Sequence, residues 1–253
     1  MIDSPPMTIY GISTLSLALA LALARCLSPL LLVMALPATA DIDTSSLRSA
    51  TKARTAAPAA AGAAKQPAAK AEESANDLYQ RAVKLDRVDA SEKDLTSAAY
   101  WYKKAAEQGH TDAQTNLAAM YAEGRGVDIS GTEAVRWYLK AAEAGNVRAQ
   151  YNLALMYHLG EGITKNYDGA IEWYENAARQ GDANAMNNMA FMYGMGEGVA
   201  QSDIEAYVWF ALAASRGNAD AAENRDLAAS EMTPEELRKA RERYTQLEGQ
   251  LGL

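Results

Sequence analysis

Cysteine, histidine and phenylalanine are scarce in this chain. Its 253 residues include one cysteine, Cys26, two histidines and two phenylalanines. A single cysteine excludes a disulfide framework and any metal site built from several thiolates. His110 and His158 have no thiol or carboxylate partner at metal-ligand spacing, so we expect no metal and no cofactor.

Catalytic motifs are also missing. The sequence has no nucleophilic serine motif, no phosphate-binding loop and no paired-carboxylate arrangement. Its Gly-x-Gly loops follow helical patterns rather than strands, which argues against dinucleotide binding. We therefore predict that the protein is not an enzyme.

The charge changes sign along the chain. Residues 41–71 hold five basic and two acidic residues, a net charge of +3, whereas residues 72–253 hold 18 basic and 29 acidic residues, a net charge of −11. An acidic folded part argues against a nucleic-acid partner.

What is present is a repeat with a fixed period. The four tryptophans recur every 36 residues, at Trp101, Trp137, Trp173 and Trp209. Each is followed by an aromatic residue and then by Ala-Ala-x-x-Gly. A constant period of this length indicates one supersecondary unit stacked several times, and such solenoids usually present an extended binding surface.

Each period contains two helical patterns. The first has apolar residues at helical spacing over 113–121, 149–157 and 185–193 and ends in a Gly-x-Gly loop. The second carries the Trp and the small Ala residues. We predict N-caps for these second helices at Asp94, Ser130, Asn166 and Ser202, and for the first helices at His110, Asn146, Asp182 and Asn218. A first helix is expected over 76–87 and a last helix from Thr233-Pro234-Glu235-Glu236 to about Gln250.

The pattern resembles the Sel1-like repeat, a relative of the tetratricopeptide repeat. The matching residues read Ala-x-x-x-Leu-Ala-x-Met-Tyr-x-x-Gly-x-Gly-Val and Ala-x-x-Trp-Tyr-x-x-Ala-Ala-x-x-Gly, over about 94–229. The resemblance implies an all-α fold, a right-handed superhelical solenoid of α/α hairpins, here over 75–253 with a C-terminal capping helix. Cysteine-rich members of the family are linked to β-lactam binding, but this chain lacks their repeated disulfide, so that property does not carry over.

The N-terminus reads as an export signal. An apolar stretch over 15–36 is followed by Ala38-Thr39-Ala40, a good signal-peptidase site, so residues 1–40 are predicted to be a signal peptide. An uncleaved inner-membrane anchor is the alternative, because the stretch is long enough to span a bilayer. Residues 41–74, rich in Ala, Pro and Lys, are expected to be a disordered linker. A bacterial periplasmic or secreted location follows, whereas the true translation start stays open.

Residues left over after core packing are the candidates for binding. If the Leu117 and Tyr121 columns face the inside of each hairpin, neighbouring columns lie on the concave side. These candidates are Asp112, Thr115, Arg148, Tyr151, Leu155, His158, Asn184, Asn187, Phe191 and Met195. Apolar groups facing solvent suggest a binding patch, although packing on a neighbouring repeat explains the same residues. The Asn column at 116, 152, 188 and 224 instead favours a structural hydrogen bond.

From these sequence features we expect the protein to be an exported protein-interaction scaffold. It holds a partner protein or an extended peptide in the concave groove, and family resemblance favours an envelope or membrane protein as partner. A cell-wall or exopolysaccharide-associated factor that binds glycan is the alternative, and an enzyme is the third and least supported class.

Overall fold

The computed structural model describes residues 73–253, which form ten α-helices and no strand within that range. They divide into two compact units, residues 73–177 (the N-terminal unit) and residues 178–253 (the C-terminal unit). The helices are α1 Ala75–Leu85, α2 Glu92–Glu107, α3 Thr111–Glu123, α4 Gly131–Glu143, α5 Val147–Leu159, α6 Tyr167–Arg179, α7 Ala183–Met195, α8 Asp203–Ser215, α9 Ala219–Glu231 and α10 Pro234–Leu251. The predicted signal peptide and nearly all of the predicted linker lie outside the described residues.

Consecutive helices pack as hairpins in both units. In the N-terminal unit, α1 packs on α2, α2 on α3, α3 on α4 and α4 on α5. In the C-terminal unit, α7, α9 and α10 all pack on α8. The expected all-α repeat fold is confirmed. Among residues 73–253, no helix combines the length and the apolar character needed to cross a membrane.

The repeated aromatic and alanine columns build the core. Trp137 and Trp209 are each only 2% exposed, and Tyr102, Tyr174 and Phe210 are among the largest fully buried side chains. The alanines that follow each Trp are buried as well, apart from the half-buried Ala214, which lets neighbouring backbones approach closely. Trp101, in the first hairpin, is only half-buried, and the Arg81 guanidinium lies 4.3 Å from its ring centroid.

Local capping sets the helix starts almost as predicted. Ser130 and Ser202 accept hydrogen bonds from the backbone N–H groups of Glu133 and Glu205, and Asn166 accepts one from Gly169. The predicted caps of the first helices are confirmed in the same way, at His110, Asn146, Asp182 and Asn218.

The prediction that Asp94 is an N-cap is wrong. Helix α2 begins three residues earlier, with Ser91 as its N-cap and Asp94 closing a capping box at the third helical position. Ser-x-x-Asp satisfies two backbone N–H groups reciprocally. This favours the longer helix over the start copied from the other repeats.

Two loop glycines are required both by their positive φ angle and by close contact with a neighbouring backbone. Gly126 has φ +68°, and a Cβ there would lie 2.3 Å from the backbone carbon of Leu95. Gly162 has φ +70°, and its Cβ would lie 2.3 Å from the Cα of Gly131. The second glycine of these two loops therefore lets a loop rest directly on a neighbouring helix.

The last helix follows the prediction closely. It spans Pro234–Leu251, with Thr233 and Glu236 forming a capping box and Pro234 in the first turn. Its apolar side packs on α8 through Ala240, which is fully buried, and the Arg243 guanidinium donates to Glu205 at 2.7 Å.

Candidate functional site

The N-terminal unit contains an open groove of about 740 Å³. Helices α1, α2, α3 and α5 contribute to it, together with the loops after α1 and α3. Its lining comprises Tyr79, Val83, Asp86, Arg87, Val88, Ala90, Leu95, Tyr102, Asn116, Ala119, Glu123, Arg125 and Arg148. Of the residues predicted from the sequence to bind a partner, Arg148 lines this groove.

Asp86 contacts two other polar side chains of this groove. It directly follows α1 and accepts a hydrogen bond from the Tyr102 hydroxyl at 3.1 Å. It also pairs with the guanidinium of Arg125, which lies in the loop after α3 and reaches Glu123 at 3.4 Å. The Asp86 side chain is 13% exposed and that of Arg125 is 38% exposed, so the ion pair is partly shielded from solvent.

A second branch of the network runs through Asn116 on α3. Its side chain lies near the Tyr102 hydroxyl and favours the ionised form of that group, and its Oδ1 atom accepts a hydrogen bond from Arg148 Nη2 at 2.6 Å. Arg148 is exposed on α5. Asn116 and Arg148 therefore link α3 to α5 along the groove.

The tyrosines of this network resist ionisation. Burial raises the pKa of Tyr102, and the adjacent Asp86 carboxylate raises it further. Burial also raises the pKa of Tyr138, with Glu123 adding to the effect, while the nearby Asn152 side chain acts in the opposite direction. Two members of the Asn column thus lie near a tyrosine hydroxyl of the preceding helix, which favours a structural role for Asn116 and Asn152.

The predicted binding residues of the N-terminal unit have several different roles. Arg148 lines the groove, whereas Asp112 accepts a hydrogen bond from the Asn146 side chain at 2.9 Å and so links α3 to the start of α5. Tyr151, Leu155 and His158 are half-buried on α5. The rings of Tyr151 and His158 each lie 6.0 Å from that of Tyr174, and His158 Nδ1 is 3.4 Å from its hydroxyl.

Thr115 does not face solvent as expected. It is 2% exposed, and its hydroxyl donates to the carbonyl of Thr111 in the preceding turn. A short side chain at this column is fully covered by the helix contact, whereas the longer Tyr151 at the same column of the next repeat is half-buried.

In the C-terminal unit the expected apolar stripe is only partly exposed. Phe191 is 3% exposed and packs edge-on against Phe210, with ring centroids 5.1 Å apart, so its assignment to a solvent-facing column is wrong. Two aromatic rings in edge-to-face contact are more stable when they are buried together than when they are exposed to solvent. Asn187 is also buried, at 8% exposure, whereas Asn184 and Met195 are exposed. Asn184 accepts a hydrogen bond from the Asn218 side chain at 3.0 Å.

Asp86 and Arg125 were missed by sequence reasoning. Neither belongs to a repeated column with a constant residue. One signal was available: Arg125 stands between the two loop glycines where the other repeats carry Glu161 and Glu197. A charge of opposite sign at one copy of a repeated position indicates a local partner, which here is the carboxylate of Asp86.

Residues 73–253 contain no group of three or more His, Cys, Asp and Glu side chains placed to hold a metal ion. The groove offers guanidinium, amide, hydroxyl and carboxylate groups. In chemical terms it is suited to binding through hydrogen bonds and charge, beside exposed apolar side chains.

Comparison with known proteins identifies the repeat. The Sel1 repeat profile matches residues 89–110, 111–146, 147–182 and 183–218, which together are just over half of the chain. The chain belongs to the Sel1 repeat family. Repeats of this family generally mediate protein–protein interactions, and these scaffolds are generally non-catalytic.

Two solved structures support the fold. One is c5321, a protective antigen present in uropathogenic Escherichia coli strains that displays an SLR fold; it is 32% identical, with a TM-score of 0.62, over 69% of this chain and 38% of c5321. The other is a Sel1 repeat protein from Oxalobacter formigenes, 32% identical with a TM-score of 0.57, over 61% of this chain and 63% of that protein. The chain thus spans less than two thirds of either protein. A search among curated proteins gives no significant match.

Proposed function

We propose that the protein is a binding module whose N-terminal groove holds an extended segment of a partner protein. The observation that carries this proposal is the set of paired polar side chains along α1, α3 and α5. Because Asp86 is already paired with Arg125, and Asn116 with Arg148, little side-chain entropy is lost when a partner binds.

The rim of the groove supports the same conclusion. Val88 is fully exposed and Val83 is 38% exposed, although both are apolar and both line the groove. Apolar side chains beside a polar floor offer a protein segment both burial and orientation. The groove is open along several helices, a shape that suits an extended chain better than a compact small molecule.

Site-specific photo-crosslinking tests this proposal in cells. A photoreactive amino acid at Ala119, on the groove floor, should crosslink to a partner polypeptide that mass spectrometry identifies. The same amino acid at Lys103, which is exposed on α2 outside the groove, serves as the control position. Equal crosslinking to the same polypeptide from both positions would contradict groove binding.

A charge reversal gives the matched second measurement. Arg148→Glu should weaken the Ala119 crosslink by roughly tenfold or more, because it places a like charge beside Glu123 in the groove. Lys103→Glu makes the same change of charge on an exposed helix and should leave the crosslink unchanged. Circular dichroism of both variants shows whether the helices remain folded.

Export belongs to the same proposal. The apolar stretch over 15–36 and the sequence Ala38-Thr39-Ala40 support a chain that acts in the bacterial periplasm, on an envelope or membrane protein. Mass spectrometry of the protein from an envelope fraction should find an N-terminus at Asp41. Peptides that still include Arg25 would instead support an uncleaved membrane anchor.

A further inference from the structure

The C-terminal unit contains a second groove, of about 650 Å³, between α8, α9 and α10. Its lining is formed by Tyr207, Ala211, Ala214, Ser215, Arg225, Asp226, Arg241, Tyr244 and Thr245. The two grooves share no lining residue.

Arg241 differs from every other basic residue of α10. Arg238 pairs with Glu235 and Glu242, Lys239 pairs with Glu235, and Arg243 pairs with Glu205. Within residues 73–253, Arg241 has no carboxylate partner, and it lies on the groove. Every other cation of α10 is paired with a carboxylate. The unpaired Arg241 therefore indicates a partner outside the described residues.

Arg225 supplies a second guanidinium to the same groove from α9. Its Nε and Nη2 atoms both donate to Asp226 Oδ1, at 2.8 and 2.6 Å. The lining therefore carries two cations and one anion, a net charge of +1. The whole C-terminal unit has seven basic and twelve acidic residues, a net charge of −5. A positive groove in a negative unit selects an anionic group.

The groove also has an apolar side. Ala214 stands at the column of Ala106 and Ala142, which are both 2% exposed because a further helix packs over them. Ala214 itself is only half-buried, so this part of α8 is not fully covered. The half-buried rings of Tyr207 and Tyr244 lie beside it, and the Tyr244 hydroxyl donates to Glu248 at 3.0 Å.

From this geometry we infer that the C-terminal groove binds an acidic peptide segment of a partner protein. One carboxylate of that segment pairs with Arg241 and the free edge of Arg225, and an adjacent apolar or aromatic side chain packs on Ala214 and Tyr207. A single carboxylate balances the net charge of +1, whereas a phosphate dianion would leave the site negative. The chain's own residues 41–71, with a net charge of +3, have the wrong sign for this site.

A peptide-display selection tests this inference directly. A random peptide library is selected on protein purified from expression of the full chain and is counter-selected on the Arg225→Gln/Arg241→Gln double variant. Enriched peptides should carry Asp or Glu next to an apolar or aromatic residue. No enrichment over the double variant, or enrichment of peptides without acidic residues, would overturn the inference.

Single variants then locate the contact. The enriched peptide, made synthetically, should bind roughly tenfold or more weakly to Arg241→Gln in fluorescence anisotropy, because a charge-assisted hydrogen bond is lost. Arg238→Gln, on the same helix but outside the groove, is the matched control and should bind like wild type. Replacing the acidic residues of the peptide with Asn or Gln should abolish the difference between wild type and Arg241→Gln.

Two further outcomes would also reject an acidic peptide. If inorganic phosphate at matched ionic strength displaces the peptide fully while acetate does not, the site is selective for phosphate. If sedimentation shows association of the wild-type chain that the double variant lacks, the groove is a contact with a second copy.

Discussion

The contact between the aromatic residue that follows each repeated Trp and the Asn 14 residues later differs between the two units. In the N-terminal unit, the hydroxyls of Tyr102 and Tyr138 lie near the side chains of Asn116 and Asn152, each 14 residues later in the sequence. In the C-terminal unit the corresponding pair is Phe210 and Asn224. Phe210 has no hydroxyl group, and Asn224 is 8% exposed with no hydrogen-bond partner for its Nδ2 atom among the described residues.

From this difference we infer that the tyrosine and the asparagine act as a pair. A buried amide stabilises the helix contact only while its partner is present, because an unpaired polar group loses its bonds to water without replacement. The C-terminal unit has kept the asparagine but has an apolar ring in the tyrosine's place, which packs against Phe191 instead.

The largest expected effect comes from removing one ring of the Trp column, which recurs in both units. Trp137→Ala should lower the free energy of unfolding by about 3–5 kcal/mol, because a large buried side chain leaves a cavity. Trp101→Ala should cost only about 1–2 kcal/mol, since Trp101 is half-buried in the first hairpin. Urea denaturation followed by circular dichroism measures both values, and equal losses would contradict the difference in burial.

Exchanging the asparagines should give effects of different size in the two units. Asn152→Leu should cost about 2–3 kcal/mol, because it replaces a polar group near the buried Tyr138 hydroxyl with an apolar one. Asn224→Leu should change stability by less than about 1 kcal/mol, since its amide nitrogen is already unpaired beside an apolar ring. A large loss in Asn224→Leu would show that this amide has a partner of its own.

Alkaline pH should lower the stability of the N-terminal unit through its buried tyrosines. The pKa values of Tyr102 and Tyr138 are raised in the folded state above their ordinary value of 10.0. Their contribution to stability is therefore fully present below pH 10, and it falls above that pH by up to about 1.4 kcal/mol per pH unit for each group. In Tyr102→Phe/Tyr138→Phe, unfolding measured between pH 9 and 11 should depend less steeply on pH. An unchanged slope would place the alkaline sensitivity in other groups.

The smallest and sharpest test exchanges one hydroxyl in each unit. Tyr138→Phe should cost about 1 kcal/mol, whereas Phe210→Tyr should gain about 0.5–1 kcal/mol by giving Asn224 a partner. Thermal unfolding of the two variants against wild type measures both signs. Destabilisation by Phe210→Tyr would mean that the packing of Phe191 leaves no room for the hydroxyl.

Most of the fold could be read from the sequence because its signals are local. Period, N-caps and loop glycines each act within a few residues, and they placed α3 to α10 closely. The one wrong cap, Asp94, arose where two local choices competed. The candidate site was predicted less well: Arg148 was found, but Asp86 and Arg125 lie 39 positions apart and carry no repeated pattern.

By itself, the sequence determined a Sel1 repeat fold with its helix starts and its buried Trp and Ala columns, because every copy repeats the same local chemistry. Only the tertiary structure decided which of the remaining columns face solvent. Thr115, Asn187 and Phe191 are buried and Arg148 is exposed, although they occupy columns that look alike in the sequence. The exposure of such a side chain depends on its own size and on the residue that faces it from another helix, which the period of the repeat does not specify.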